Sequence, residues 1–253
     1  YKRQVHHGSG PRFKVPDAVA DVRRAVRHIR MYAARFDVAP NRLGVLGGSA
    51  GGHLALMLGL TSDSGNESED DPVLRVSNHL QAVVAYHPPV DLCQLVGVTN
   101  EPSALNFDVR EAPRVSPINF ASVDDPPVLL IHGDQDNRVP LDSSMNMQAA
   151  LDAVAVVNQI VVIEGAGHGF IKAFHRERAQ KETLAFFKKH LSQAQDLTKV
   201  PSQNEPLTSS ECYKCGRQPH EQIETQNTPT SELTGCPDSR AEVPESQSTL
   251  PRL

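Results

Sequence analysis

Long apolar runs and a strong charge of either sign are both missing from this sequence of 253 residues. No run of about 18 apolar residues occurs, so the sequence predicts no membrane-spanning helix. The formal net charge of −5 is too small to indicate a nucleic-acid or polyanion partner. The composition that remains is typical of a soluble protein.

Cysteine is also scarce, and the four that occur show no spacing typical of a disulfide framework. Cys93 stands alone in the part of the chain that we expect to fold, where it is predicted to be a small buried apolar side chain. No signal peptide is visible, but the sequence begins with Tyr1 rather than Met, which leaves the compartment open. The oligomeric state is equally open.

Residues 192–253 differ in composition from the rest, since they are rich in Ser, Thr, Pro, Gln and Glu and poor in apolar residues. Such a segment cannot bury enough surface to offset the entropy lost on ordering, so it is predicted to be a disordered tail. Cys212 and Cys215, followed by His220 and Cys236, could bind zinc. Their spacing is irregular and no apolar residues surround them, so no metal or cofactor is predicted, and a zinc or interaction module is the alternative.

The most informative motif is G-x-S-x-G at residues 47–51, which lies between an apolar strand-like run and an apolar helix-like run. We expect a tight turn here, because Gly47 and Gly51 stand where side chains would collide across the bend. The N-terminus of the following helix favours negative charge near Ser49. The motif in this context predicts that Ser49 is a nucleophile.

A nucleophilic serine needs an imidazole to take its proton and a carboxylate to orient that imidazole. His168 lies between two glycines after a β-branched run, with little bulk around it to bury it. Asp134 and Asp136 follow another apolar run, in the kind of loop where open α/β sheets place their chemistry. The order Ser, Asp, His is that of hydrolases with this motif, and position alone leaves both aspartates as candidates.

Residues 5–191 resemble an α/β-hydrolase, and within that fold the esterase and lipase families related to hormone-sensitive lipase and the carbohydrate esterases. The resemblance implies a serine hydrolase of carboxylic esters, with Ser49 as nucleophile, Asp136 as acid and His168 as base. Asp136 is preferred over Asp134 because the family pattern D-x-x-V-P begins there. The segments that match are residues 11–13, 16–21, 47–54, 132–133, 136–140 and 165–170.

The backbone N–H of Ala50 is expected to hold part of the oxyanion, and a second donor normally comes from a segment of the His-Gly-Gly-Gly type. The similar run at residues 7–10 leads straight into a helix, so we do not expect it to be that segment. The resemblance places the true segment and the third strand before Tyr1. We therefore expect an N-terminally incomplete fold with a strand stub at residues 5–7, an exposed edge beside Ser49, and weak or no activity.

The remaining pattern predicts an α/β layout in which residues 1–191 form the hydrolase domain and residues 87–125 form a cap-like insertion over the site. His53 and His132 are interpreted as structural, and the arginines of the first helix as a solvated face. The predicted helices cover residues 16–36, 50–60, 141–153 and 174–191, and the predicted strands cover residues 43–46, 80–86, 127–133 and 159–163.

Three alternatives stay open at this point. A peptidase of the prolyl-oligopeptidase type has the same order of catalytic residues, although the sequence shows no propeller repeats. An inactive hydrolase-like scaffold is the second, although it has no reason to keep all three groups. The third is a protein whose C-terminal tail is the functional part, as a zinc-binding or protein-interaction module. The leading prediction is a hydrolase of small-molecule esters that needs no cofactor.

Overall fold

Four parallel strands form one sheet in the computed structural model, which describes residues 4–97 and 103–192. The strands lie side by side in chain order, so their carboxyl ends meet at one edge of the sheet. They are β1 (Gly44–Gly48), β2 (Ala82–Tyr86), β3 (Val128–Gly133) and β4 (Asn158–Ile163). The parallel sheet with its helices confirms the predicted α/β class.

Helices cover both faces of this sheet. They are α1 (Val15–Met31), α2 (Ala50–Leu60), α3 (Leu141–Ala153) and α4 (Ala173–Ser192), with short 3-10 helices at Ala33–Phe36, Val109–Val115 and Pro117–Asn119. Val83 and Leu130 pack with α1, α2 and α3 on one face, whereas Val84 and Leu129 pack with α4 on the other. Because both faces are covered, β2 and β3 are apolar almost throughout. Within the described ranges, no helix has the length and apolarity to cross a membrane.

Strand β1 is an edge strand of the described sheet, since β2 is the neighbour with which it pairs. Its side chains are partly or largely open to solvent, and Leu46 is 39% exposed. The predicted strand stub at residues 5–7 is wrong, because these residues form no strand. The segment instead lies against α1, because the Gly8 N–H donates to the carboxylate of Asp21 in that helix at 2.7 Å.

The arginines of α1 form the solvated face that the sequence suggested only in part, since Arg24 is exposed whereas Arg27 is buried. Arg27 is only 7% exposed, and its guanidinium donates to the carboxylate of Asp63 at 2.5 and 2.6 Å and to the carbonyl of Val76. Arg30 donates to the carbonyls of Ser77 and His79. These groups attach the long connection between α2 and β2 to the first helix, which helical periodicity alone cannot reveal.

Two further predictions concern regions beyond the sheet. Cys93 is half-buried and disulfide-bonded, so the prediction of a lone apolar side chain is wrong. Spacing along a chain does not reveal which cysteines meet in space. The predicted tail from residue 193 onwards, with the candidate zinc ligands Cys212, Cys215, His220 and Cys236, lies outside the described residues, and Ser192 ends α4.

Candidate active site

Ser49 occupies the turn between β1 and α2 in a backbone conformation that is uncommon for a residue with a side chain. Its φ of 54° and ψ of −121° lie outside the helical and extended regions. The Ser49 N–H donates to the Tyr86 carbonyl at 2.9 Å, and the Ser49 carbonyl accepts from the His53 N–H at 3.0 Å. Both neighbours therefore hold the strained turn in place.

The two glycines of the motif do different things. A Cβ on Gly47 would lie against the Gly51 carbonyl oxygen across the turn, so only glycine fits there. A Cβ on Gly51 would meet nothing within 4 Å, so the prediction that a side chain at this position collides is wrong. The crowded second position is Gly52, where a Cβ would stand 2.9 Å from the Tyr86 carbonyl oxygen.

The structure brings together the three side chains that the sequence singled out. His168 Nε2 lies 2.9 Å from Ser49 Oγ, and His168 Nδ1 lies 2.7 Å from Asp136 Oδ2. The hydroxyl donates to Nε2 while Nδ1–H donates to the carboxylate, so the two contacts agree on one tautomer. Ser49 follows β1, Asp136 follows β3 and His168 follows β4, all at the carboxyl edge of the sheet.

Asp136 is held as a carboxylate. Burial by itself would raise the pKa of Asp136, but hydrogen bonds from the Val139 N–H, from His168 and from the Arg138 N–H outweigh it and lower the pKa. The side chain is shielded from solvent, which strengthens its interaction with the imidazole. Asp134, the other candidate, is exposed and instead accepts from the Gly165 N–H at 2.7 Å.

The two histidines interpreted as structural are buried and hydrogen-bonded. His53 donates through Nε2 to the Val115 carbonyl at 2.6 Å. His132 donates through Nε2 to the Val139 carbonyl at 2.8 Å and accepts through Nδ1 from the Ser144 hydroxyl at 2.7 Å. Burial lowers the pKa of both imidazoles, to about 4 for His53. His132 thus supports the loop that carries Asp136.

Sequence reasoning missed His87, which lies beside His168 with 4.2 Å between the ring centroids. It follows β2 directly, as the other site residues follow their strands. The side chain is buried, and its backbone φ is 36°. Burial and the neighbouring His168 lower the pKa of His87 to about 4. The signal was present, since this histidine directly follows the strand predicted at residues 80–86, but it was assigned to the insertion at residues 87–125.

The expected oxyanion donor stands at the start of α2. Ala50 is the first residue of that helix, so its N–H has no acceptor one turn earlier within the helix. The run at residues 7–10, which we did not expect to contribute, uses the Gly8 N–H on Asp21. The Gly8 N–H is therefore hydrogen-bonded to α1 rather than directed at the active site.

Comparison with known proteins identifies the family. The family model described as BD-FAE matches residues 4–151, which is more than half of the chain. The chain belongs to the BD-FAE family. Known esterases are similar to this BD-FAE member along most of its length, and esterase structures share its fold. The expected α/β-hydrolase of the esterase and lipase type is thereby confirmed.

Two relatives come from Mycobacterium tuberculosis. Esterase LipQ is 28% identical over 72% of this chain and 46% of its own length. Esterase LipC is 29% identical over 66% of this chain and 44% of its own length. The BD-FAE member therefore spans less than half the length of these curated relatives.

Solved structures give the same fold. An acetyl ester-xyloside bifunctional hydrolase from Caldicellulosiruptor lactoaceticus has a TM-score of 0.58 and 30% identity, covering 69% of this chain and 68% of its own. A truncated carbohydrate esterase from gut microbiota has a TM-score of 0.61 and 28% identity, covering 74% of this chain and 73% of its own.

Proposed function

We propose that this chain hydrolyses carboxylic esters of small molecules through an acyl-enzyme on Ser49. The observation that carries the proposal is the continuous hydrogen-bond chain from Ser49 through His168 to Asp136, with contacts of 2.9 and 2.7 Å. Three side chains, each from the segment after a different strand, are hydrogen-bonded in the order that a nucleophile, a base and an orienting carboxylate require.

The reaction divides into two steps. Ser49 Oγ attacks the ester carbonyl while His168 Nε2 takes the hydroxyl proton and returns it to the departing alcohol. Water then attacks the acyl-serine, with His168 taking its proton and returning it to Ser49 as the acid leaves. Asp136 stays ionised throughout and stabilises the imidazolium that forms in each step. Its lowered pKa supports this role.

The negative oxygen of each tetrahedral intermediate is held in part by the Ala50 N–H. This donor points out from the N-terminus of α2, where the helix dipole favours negative charge. We further propose that residues 1–191 act as the hydrolase domain and that residues 87–125 cap the site. The His53–Val115 hydrogen bond supports the latter, because it fixes this segment to the helix that follows Ser49.

Ester rather than amide substrates are favoured because the similar proteins are esterases and carbohydrate esterases. An inactive scaffold is disfavoured by the intact hydrogen-bond chain. A simple acyl ester such as p-nitrophenyl acetate suits a first assay, since it needs no specific alcohol pocket.

The test has a labelling arm and a turnover arm. A fluorophosphonate probe is expected to label the wild-type chain and not the Ser49→Ala variant, while Ser64→Ala, an exposed serine, labels normally. Hydrolysis of p-nitrophenyl acetate is expected to be slow, since the Ala50 N–H is the oxyanion donor identified among the described residues. It is expected to follow the same pattern across the variants and to exceed hydrolysis of the matching p-nitroanilide. Labelling or turnover that survives in Ser49→Ala would overturn the proposal, and faster anilide cleavage would favour a peptidase.

A further inference from the structure

A second set of groups converges at the same edge of the sheet. His87, Asp136 and His168 each offer one nitrogen or oxygen atom, and these three atoms lie within 4.8 Å of one another. The loops that carry them follow β2, β3 and β4. Ester hydrolysis as proposed uses two of these residues, and it gives His87 no task.

His87 has the features of a metal ligand. The residue is only 5% exposed, yet Nδ1 of its ring has no hydrogen-bond partner among the described residues. A buried polar atom without a partner is costly and calls for an explanation. Metal ions bind a neutral imidazole through the lone pair of a ring nitrogen.

We propose that His87, His168 and Asp136 form a site for a divalent transition-metal ion of the zinc class. Two imidazoles and one carboxylate are a donor set that zinc takes in proteins, with a fourth position left for water. Ligands of a tetrahedral zinc ion stand about 3.4 Å apart, so a pair of atoms at the 4.8 Å limit needs to approach by up to about 1.4 Å. His168 keeps 14% of its side chain exposed, which leaves an entry route.

The ion and the proton relay exclude one another. His168 uses Nδ1 on Asp136 and Nε2 on Ser49, so a metal bound at either nitrogen breaks one of the two hydrogen bonds. Zinc is therefore an inhibitor here, and its site is a regulatory one. This consequence for activity rests on the proposed ester hydrolysis, whereas binding of the ion does not.

Binding is measured first, without reference to activity. The Ser49→Ala chain is dialysed against micromolar zinc chloride, and the zinc bound per chain is compared with that of Ser49→Ala/His87→Phe. Phenylalanine keeps a ring against His168 but has no ligand atom, and His87→Gln is a second variant should the first fail to fold. The expected result is the loss of one zinc ion per chain in both double variants.

The comparison between variants isolates this site, because Cys212 and Cys215 also bind zinc if the tail forms a module. Ser49→Ala/His175→Gln is the matched control, since His175 is a buried histidine outside the cluster, and it is expected to keep the full complement. Equal zinc binding by the His87 variants and by this control would overturn the proposal, whatever the enzyme hydrolyses.

Inhibition is measured second. Zinc is expected to inhibit p-nitrophenyl acetate hydrolysis by the wild-type chain, with the half-inhibiting concentration raised about 10- to 100-fold in His87→Phe. Each variant is compared with its own metal-free rate, so any change in basal turnover cancels. Undiminished inhibition of His87→Phe would contradict a role for His87, and absent turnover in every chain would count against the proposed function while leaving the binding result intact.

Discussion

Asp134 accepts a hydrogen bond from the backbone N–H of Gly165 at 2.7 Å, which joins the loop after β3 to the loop after β4. Asp136, in the same loop, binds the imidazole of His168, which follows Gly165 in the chain. Two nearby carboxylates thus hold one loop, the first through its backbone and the second through its histidine. Their substitutions should separate positioning of the loop from stabilisation of the imidazolium.

Asp136→Asn is expected to lower kcat by about 10³- to 10⁴-fold, because an amide neither stabilises the imidazolium nor enforces the required tautomer. KM should change little, since the substrate does not contact Asp136. Asp134→Asn is the matched control and is expected to weaken one backbone hydrogen bond, worth about 1 kcal/mol, with a much smaller loss of kcat. Steady-state kinetics on p-nitrophenyl acetate compare the two, and equal losses would contradict the assignment.

Gly47→Ala and Gly51→Ala are expected to differ although both change the motif. Alanine at residue 47 would press against the Gly51 carbonyl, so labelling of Ser49 by a fluorophosphonate should be lost or greatly slowed. Alanine at residue 51 has open space and lies within α2, so it should keep labelling and raise the free energy of unfolding by roughly 0.5–1 kcal/mol. Loss of labelling in both variants would show that the turn tolerates no side chain at either position.

Arg27→Met should lower the free energy of unfolding by about 2 kcal/mol, because it removes charged hydrogen bonds to Asp63 and to the Val76 carbonyl. Arg24→Met is the control, since the Arg24–Asp71 pair is exposed and such pairs contribute less than about 1 kcal/mol. Urea unfolding followed by circular dichroism measures both. A larger loss for Arg24 than for Arg27 would contradict the structural role given to the buried guanidinium.

His53 should make stability depend on pH. Burial lowers its pKa from 6.5 to about 4 in the folded chain, so between these values the unfolded state binds more protons than the folded state. The contribution of His53 to stability is fully present above pH 6.5 and is lost as pH falls towards 4. Urea unfolding at pH 6.5 and 4.5 should therefore show a smaller decrease for His53→Gln than for the wild type.

A destabilised control shows whether the pH effect belongs to the histidine. Leu56→Ala removes a fully buried side chain that does not titrate, so it should lower stability by about 2–5 kcal/mol at both pH values. The change in its free energy of unfolding between the two pH values should match that of the wild type. A smaller change in the free energy of unfolding between the two pH values in Leu56→Ala would indicate that any loss of stability alters the pH dependence.

The elements that sequence predicted well are those with a strong local pattern. The run after Ser49 is apolar on every side and forms α2 over Ala50–Leu60, the range expected. The strands start and end within two residues of their predictions, because short apolar runs rich in β-branched residues are distinct from the polar segments around them. The first helix ends at Met31 rather than at residue 36, since the chain tightens into the 3-10 turn at Ala33–Phe36.

What sequence could not predict depends on distant partners. Arg27 is buried because Asp63 and Val76 reach it from another element, and nothing in the helix itself encodes that contact. Cys93 looked solitary for the same reason. Ser49, Asp136 and His168 were predicted to act together because their order along the chain is characteristic, whereas His87 lies outside that order and became visible only through its 4.2 Å approach to His168.

Ser49 and His168 are 119 residues apart in the chain, yet they touch. The groups of the site stand on strands whose pairings all run between distant segments, so no smaller piece of the sheet holds both residues in reach. During refolding, reactivity of Ser49 towards a fluorophosphonate should therefore appear only after β4 has joined β3, later than the helical signal of α2. A covalent tag on one serine would thus time the completion of the entire sheet.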